Sequence, residues 1–222
     1  MIILLFFILL LIKVSPSISK KYKCLSDDDD YPSQRSEISL MPMSNGCSKP
    51  SFLQIEGEED FTSCCDLHDA CYATCLMSKN ECDKDFDKCM KKMCNSNFKS
   101  RKNSCEQAAD MYTMGVNMFG VQGYHESQNE YCSCVNKNDV IDHYKKLFHE
   151  FYITYTNKDS YNATILIDRI LNIDDDSEDT DKIFRKTKRT FYNLIKKYPN
   201  AIRYSGERAH LTPPPIMNKD EL

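Results

Sequence analysis

The sequence predicts a mainly α, disulfide-stapled domain followed by a cysteine-free helical extension. Three observations predict it. Cys64-Cys65-Asp66-Leu67-His68-Asp69-Ala70-Cys71 and Cys82-Asp83-Lys84-Asp85-Phe86-Asp87-Lys88-Cys89 each hold two cysteines seven residues apart. Seven residues is about two helical turns, so each pair lies along one stripe of its helix. The twelve cysteines all fall between Cys24 and Cys134.

The chain starts with an apolar run, Ile2 to Ile12, then Lys13 and Ser17-Ile18-Ser19. The run is short for a bilayer span and the small residues fit a signal-peptidase site, so cleavage after Ser19 is expected. An uncleaved anchor is the alternative. In an oxidising lumen, twelve cysteines are most simply six disulfides. The closing Lys219-Asp220-Glu221-Leu222 matches the KDEL address read by the retrieval receptor. The expected location is therefore the lumen of the endoplasmic reticulum. The expected organisation is a signal peptide over 1–19, the stapled domain over 20–138, the charged extension over 139–218 and the retrieval signal over 219–222. A formal net charge of −4 gives no case for nucleic-acid binding.

Residues 24–60 read as loop-rich, punctuated by Pro32, Pro42, Gly46, Pro50 and Gly57. Asp27 to Asp30 reads as a solvated loop, with weak cation binding as the sharper alternative. A first helix is expected over Phe61–Met77. Ser78-Lys79-Asn80 makes the turn, and Asn80 with Asp83 resembles the next helix start. That second helix runs to about Phe98, with Cys82, Phe86, Cys89 and Met93 on one face. A third helical pattern follows Cys105 and ends near Gly115 or Gly120. Cys132-Ser133-Cys134 reads as extended, its cysteines pointing opposite ways. If the first two helices are antiparallel, Cys64 faces Cys89 and Cys71 faces Cys82, which brings His68 close to Asp83.

In the extension, Val140, Ile141, Tyr144, Leu147, Phe148, Phe151, Tyr152 and Tyr155 recur at helical spacing, after a cap at Asn138 or Asp139. Asn162-Ala163-Thr164 is a glycosylation sequon. Asp174 to Asp181 is acidic and reads as a linker or exposed loop. Lys182 to Arg203 carries eight basic residues and no acidic ones among regularly spaced apolar residues. Such a helix lies on an anionic membrane, or else its charges are solvated or paired with the acidic run. Pro213-Pro214-Pro215 reads as an extended spacer.

The chemistry concentrates around His68. A zinc site from Cys64, Cys65, His68, Cys71 and Cys75 fits no paired Cys-x-x-Cys spacing. Asp83-x-Asp85-x-Asp87 starts like an EF-hand loop, but Lys88 stands where the glycine is needed and Cys94 where the glutamate is needed. Asp85 and Asp87 then read as solvated. A lone His68 reads as a buried structural histidine, but His68 is flanked by Asp69. A histidine, a partner carboxylate and a second carboxylate free to hold a cation make a hydrolytic site.

These residues carry a family resemblance over about residues 22–135. Cys64-Cys65-x-x-His68-Asp69-x-Cys71-Tyr72 resembles the active-site helix of secreted phospholipase A2, and Cys82-Asp83-x-x-Phe86-x-x-Cys89 its antiparallel partner. Cys71-Tyr72-x-x-Cys75, Ser78-Lys79-Asn80, Asn45-Gly46-Cys47 and Cys132-x-Cys134 are similar to the group XII branch. The resemblance implies a phospholipase A2-like domain with a calcium loop. It implies His68 as the base that activates a water, Asp83 as its orienting carboxylate and Asp69 as a ligand of Ca2+. Tyr72 either supports the carboxylate network or only packs. The resemblance nominates the backbone carbonyls of Ser48, Pro50 and Phe52 as further calcium ligands, and a Cys47–Cys65 disulfide tethering that loop. The implied activity is release of the sn-2 fatty acid from a glycerophospholipid at a membrane surface. The loop lacks the family's glycines and carries Lys49, which keeps a weakly catalytic or inactive lipid- or protein-binding module as the alternative.

Overall fold

Two antiparallel helices clamped by disulfides form the centre of the molecule, as the cysteine spacing requires. The computed structural model describes residues 30–34, 41–47, 60–156, 163–165, 167–168 and 180–211. Its helices are α1 (Thr62–Tyr72), α2 (Lys79–Ser96), α3 (Lys102–Tyr131), α4 (Val140–Thr156) and α5 (Thr180–Lys197). Its strands are β1 (Asp30–Gln34), β2 (Met43–Ser44), β3 (Cys132–Asn136) and β4 (Arg203–Tyr204). The expected signal peptide, Asp27 to Asp29, the sequon asparagine Asn162, most of the acidic run and the retrieval signal lie outside the described residues.

Cys64–Cys89 and Cys71–Cys82 bridge α1 to α2, and Cys47–Cys65 ties the preceding segment to α1. Cys94–Cys105 joins the end of α2 to the start of α3, and Cys75–Cys132 joins the turn after α1 to β3. Cys134 is also disulfide-bonded. The chain is thus mainly α and disulfide-rich, as its sequence predicts.

Several boundaries differ from the sequence reading. α1 ends at Tyr72 rather than Met77, because the buried Gln128 of α3 takes over its C-terminal groups. The Gln128 amide donates to the Tyr72 carbonyl (2.7 Å) and the Thr74 carbonyl (3.0 Å), and its oxygen accepts from Leu76 N (3.1 Å). Leu76 adopts a positive φ of 64° in this turn. α2 starts at a capping box of Ser78 and Glu81, not at Asn80 and Asp83. α3 passes through Gly115 and Gly120 instead of stopping there. Asp30 and Pro32 belong to β1, which pairs antiparallel with β3 from Asp30↔Asn136 to Gln34↔Cys132. Proline is tolerated because both strands of a two-stranded ribbon are edges.

The extension shares its core with the stapled domain. Val140, Tyr144, Leu147, Phe148 and Phe151 of α4 pack with Phe191 and Ile195 of α5, with Ile202, and with Met41 and Ala70. Fully burying each large side chain contributes about 1.5–3 kcal/mol. The apolar face of α5 at Phe191, Leu194 and Ile195 is therefore occupied by the protein's own core. Its charges pair with α2. Lys188 and Arg189 approach Glu81 at 3.7 and 3.2 Å, and Lys196 approaches Asp85 at 3.5 Å. No helix of the described residues is long and apolar enough to cross a membrane.

Candidate active site

His68 and Asp83 face each other across α1 and α2 because the two disulfide rungs set the register of the pair. His68 Nε2 and Asp83 Oδ1 are 2.9 Å apart, with 6% and 5% of each residue exposed. Tyr72, one turn beyond His68, donates its hydroxyl to the same oxygen at 2.7 Å. Lys79 donates to Asp83 Oδ2 at 2.6 Å and to the Val116 carbonyl at 2.8 Å, tying α2 to α3. The imidazole packs against Phe86, with ring centroids 4.6 Å apart. An ionised Asp83 only accepts, so the imidazole proton sits on Nε2 and Nδ1 carries the free lone pair. Burial works to raise the Asp83 pKa. The hydrogen bonds from His68, Lys79 and Tyr72 outweigh it and hold the carboxyl below its ordinary value. Burial and the bond to Asp83 push the Tyr72 phenol far up, so it stays a donor.

His68 and Asp69 both line a cavity of about 430 Å³, whose wall includes Phe86, Tyr112, Val116 and Phe119. Asp69 Oδ2 accepts from Ser44 Oγ at 2.8 Å and Asn45 N at 3.3 Å. Burial pushes the Asp69 carboxyl up to about 6, against the opposing bond from Ser44. A carboxylate desolvated beside the cavity is one that a bound cation would stabilise, so this side chain fits a hard, oxygen-preferring metal such as Ca2+. Among the described residues no group of three or more His, Cys, Asp or Glu could hold a metal. A cation at Asp69 would therefore take most of its oxygens from backbone carbonyls or water. Ser48, Pro50 and Phe52, expected to supply carbonyls, lie outside the described residues.

The structure thus brings His68, Asp83 and Asp69 together and adds residues that sequence reasoning missed. Lys79 was readable in principle, because Lys79 and Asp83 stand at i and i+4 on one helix face. Gly120 of α3 permits close approach to Tyr72 and Lys79. Arg208 binds Asp66 from 142 positions away, and nothing local signals that. Near the cavity, Phe119 of the wall is 50% exposed and neighbouring Met118 63%.

Residues 13–140, more than half of the chain, match the family model described as Group XII secretory phospholipase A2 precursor. The chain is 35% identical over 122 residues to the Group XIIA secretory phospholipase A2 of Homo sapiens, covering 51% of this chain and 62% of that protein. It is 44% identical over 62 residues to Conodipine-P3 of Conus purpurascens, covering 27% and 34% of the two chains. It is 30% identical over 105 residues to the Group XIIB secretory phospholipase A2-like protein of Mus musculus, covering 42% and 54%. The match spans less than two thirds of the human relative's length. No solved structure matches the chain significantly. With the family's half of the sequence coinciding with the disulfide ladder and the His68–Asp83 pair, the chain belongs to the group XII secretory phospholipase A2 family.

Proposed function

We propose that this protein is a calcium-dependent phospholipase A2 that hydrolyses the sn-2 ester of glycerophospholipids. The observation that carries the reading is the 2.9 Å His68–Asp83 pair, whose histidine lines one cavity together with Asp69. His68 Nδ1 takes a proton from a water, whose oxygen attacks the ester carbonyl carbon. Asp83 holds the imidazole by Nε2 and stabilises the imidazolium as it forms. His68 then returns the proton to the departing glycerol oxygen, so a free fatty acid and a lysophospholipid leave and no acyl-enzyme forms. Asp69, with backbone carbonyls of the Cys47–Phe52 loop, would hold Ca2+, and when bound the ion supplies positive charge to the developing oxyanion. Phe86, Val116 and Phe119 offer the acyl chain an apolar wall. The exposed Met118 and Phe119 would offer apolar contact to a lipid surface.

Membership of a secretory family supports a secretory-pathway location, and Lys219-Asp220-Glu221-Leu222, read as a retrieval signal, would hold the protein in the endoplasmic reticulum lumen. A second reading, a weakly catalytic or inactive binding module on this scaffold, is favoured by one feature. The segment Ser48-Lys49-Pro50-Ser51-Phe52 has no glycine and includes a lysine within the stretch proposed to supply carbonyls to the cation.

Fatty-acid release from mixed phospholipid vesicles by the oxidised luminal protein, with millimolar calcium and with chelator, separates the two. Calcium-dependent sn-2 release that disappears in a folded His68→Gln variant is the expected result. No release from folded wild-type protein in either condition would overturn the enzyme reading in favour of the binding module.

A further inference from the structure

The family match ends at residue 140, yet the chain far beyond it returns to the site. β4 pairs in parallel with β2, Met43↔Arg203 and Ser44↔Tyr204. Arg203 N donates to the Pro42 carbonyl (2.9 Å) and Ser205 N to the Ser44 carbonyl (3.0 Å). The Arg203 side chain adds a bond from Nε to the Met41 carbonyl at 3.1 Å. The segment leading to the proposed calcium loop is thus held at one end by β4 and at the other by the Cys47–Cys65 disulfide.

Past β4, the 3-10 turn Gly206–Leu211 carries Arg208 back over Gly46. Its guanidinium lies 4.4 Å from the Tyr204 ring centroid. It grips Asp66 with both arms, Nη1 to Oδ1 at 2.6 Å and Nη2 to Oδ2 at 2.8 Å. A fork of this kind sets orientation as well as adding energy. Gly46 has φ +80°, and a Cβ there would come within 2.8 Å of Arg208 Nη1, so the close approach needs glycine twice over.

From Asp66 the contacts lead to Asp69. Ser44 Oγ lies 2.7 Å from Asp66 Oδ1 and 2.8 Å from Asp69 Oδ2, and it accepts from Gly46 N at 3.0 Å. One hydroxyl proton therefore serves two carboxylates on either side of Ser44. The two carboxylates also repel, and Arg208 offsets the charge on Asp66. Through Ser44, the anchored Asp66 fixes the place of the Asp69 carboxylate beside the cavity.

We propose that residues 203–208 form an intramolecular arm that positions the cation-binding carboxylate, with Arg208 acting through Asp66 and Ser44 on Asp69. The inference rests on the reading of Asp69 as a calcium ligand. Arg208 is a positioning residue: it acts on Asp69 through two intervening side chains. The arm makes the C-terminal extension a working part of the site rather than an appendage.

The test is calcium binding by titration calorimetry on the full-length oxidised protein without lipid, beside the calcium dependence of fatty-acid release. Arg208→Gln should weaken calcium binding by about tenfold or more, the usual cost of losing a group that orients a metal ligand. Turnover at saturating calcium should be largely retained, because neither His68 nor Asp83 is touched. Arg208→Lys keeps the charge without the fork and should fall between the two. Wild-type affinity in Arg208→Gln overturns the proposal, and so does lost turnover at unchanged affinity. If Arg208→Gln does not fold, Arg208→Lys decides the matter, and unchanged calcium binding in it overturns the proposal. Wild-type protein that binds no calcium would sink the reading of Asp69 itself, whereas variants that match a calcium-binding wild type sink the arm alone.

Discussion

A Cβ on Gly120 would stand 2.8 Å from the Tyr72 hydroxyl and 3.3 Å from Lys79 Cε. Tyr72 and Lys79 are the two residues that, with His68, donate to Asp83. The glycine in the middle of α3 therefore lets this helix lie against the donors that orient the imidazole. A glycine there costs intrinsic helix stability of about 1 kcal/mol relative to alanine, and the close packing offsets that loss.

Gly120→Ala should consequently reduce turnover more than it reduces stability. The added methyl must displace a buried, hydrogen-bonded tyrosine, while the helix gains propensity. Thermal melting and initial rates of fatty-acid release, measured on the same preparation, check this. A variant with wild-type rates would show that the Tyr72 hydroxyl can move without disturbing His68.

Tyr72→Phe and Lys79→Met each leave Asp83 one donor short. Removing a hydrogen bond to a charged group costs about 1.5–3 kcal/mol, so each should lower stability and turnover. The double variant should lose turnover beyond the product of the single effects, because Asp83 then keeps only His68 as partner. A double-mutant cycle on kcat reads this coupling, and strict additivity would count against a shared network.

Acid should destabilise the protein in part through Asp83. Its folded-state pKa lies below the ordinary value of 3.8, so the unfolded chain takes up this proton first as pH falls. The stabilisation is complete above about pH 4 and is lost as pH falls through the lowered folded value. Melting temperatures followed downwards from about pH 6 should drop less steeply for Asp83→Asn than for wild type. Parallel curves would mean that Asp83 contributes nothing to the acid limb.

Phe151→Ala should destabilise the whole molecule by about 3–5 kcal/mol. Phe151 is fully buried, with ring centroids 6.3 Å from Phe191 and 6.1 Å from Tyr198, in the core that also takes in Ala70 of α1. Urea unfolding should remain a single transition seen equally by far-ultraviolet circular dichroism and by tyrosine fluorescence. An early transition confined to the extension would show that the two halves unfold separately.

The helix pair, its Cys64–Cys89 and Cys71–Cys82 rungs and the meeting of His68 with Asp83 were legible in the residues, because helical spacing and disulfide reach are local constraints. The periodic apolar face of α4 was legible for the same reason, and the structure buries it. The end of α1 was not, since it depends on Gln128, which lies 56 positions beyond Tyr72. β1 was hidden by Pro32 and by the aspartates before it, whose composition reads as loop until β3 supplies a partner. The pairing of α5 with Glu81 and Asp85 came from packing its apolar face into the core. Most of all, the Arg208–Asp66–Ser44–Asp69 connection exists only once the chain has folded. A contact across 142 positions leaves no periodicity or motif behind, only the geometry that the assembled core imposes on it.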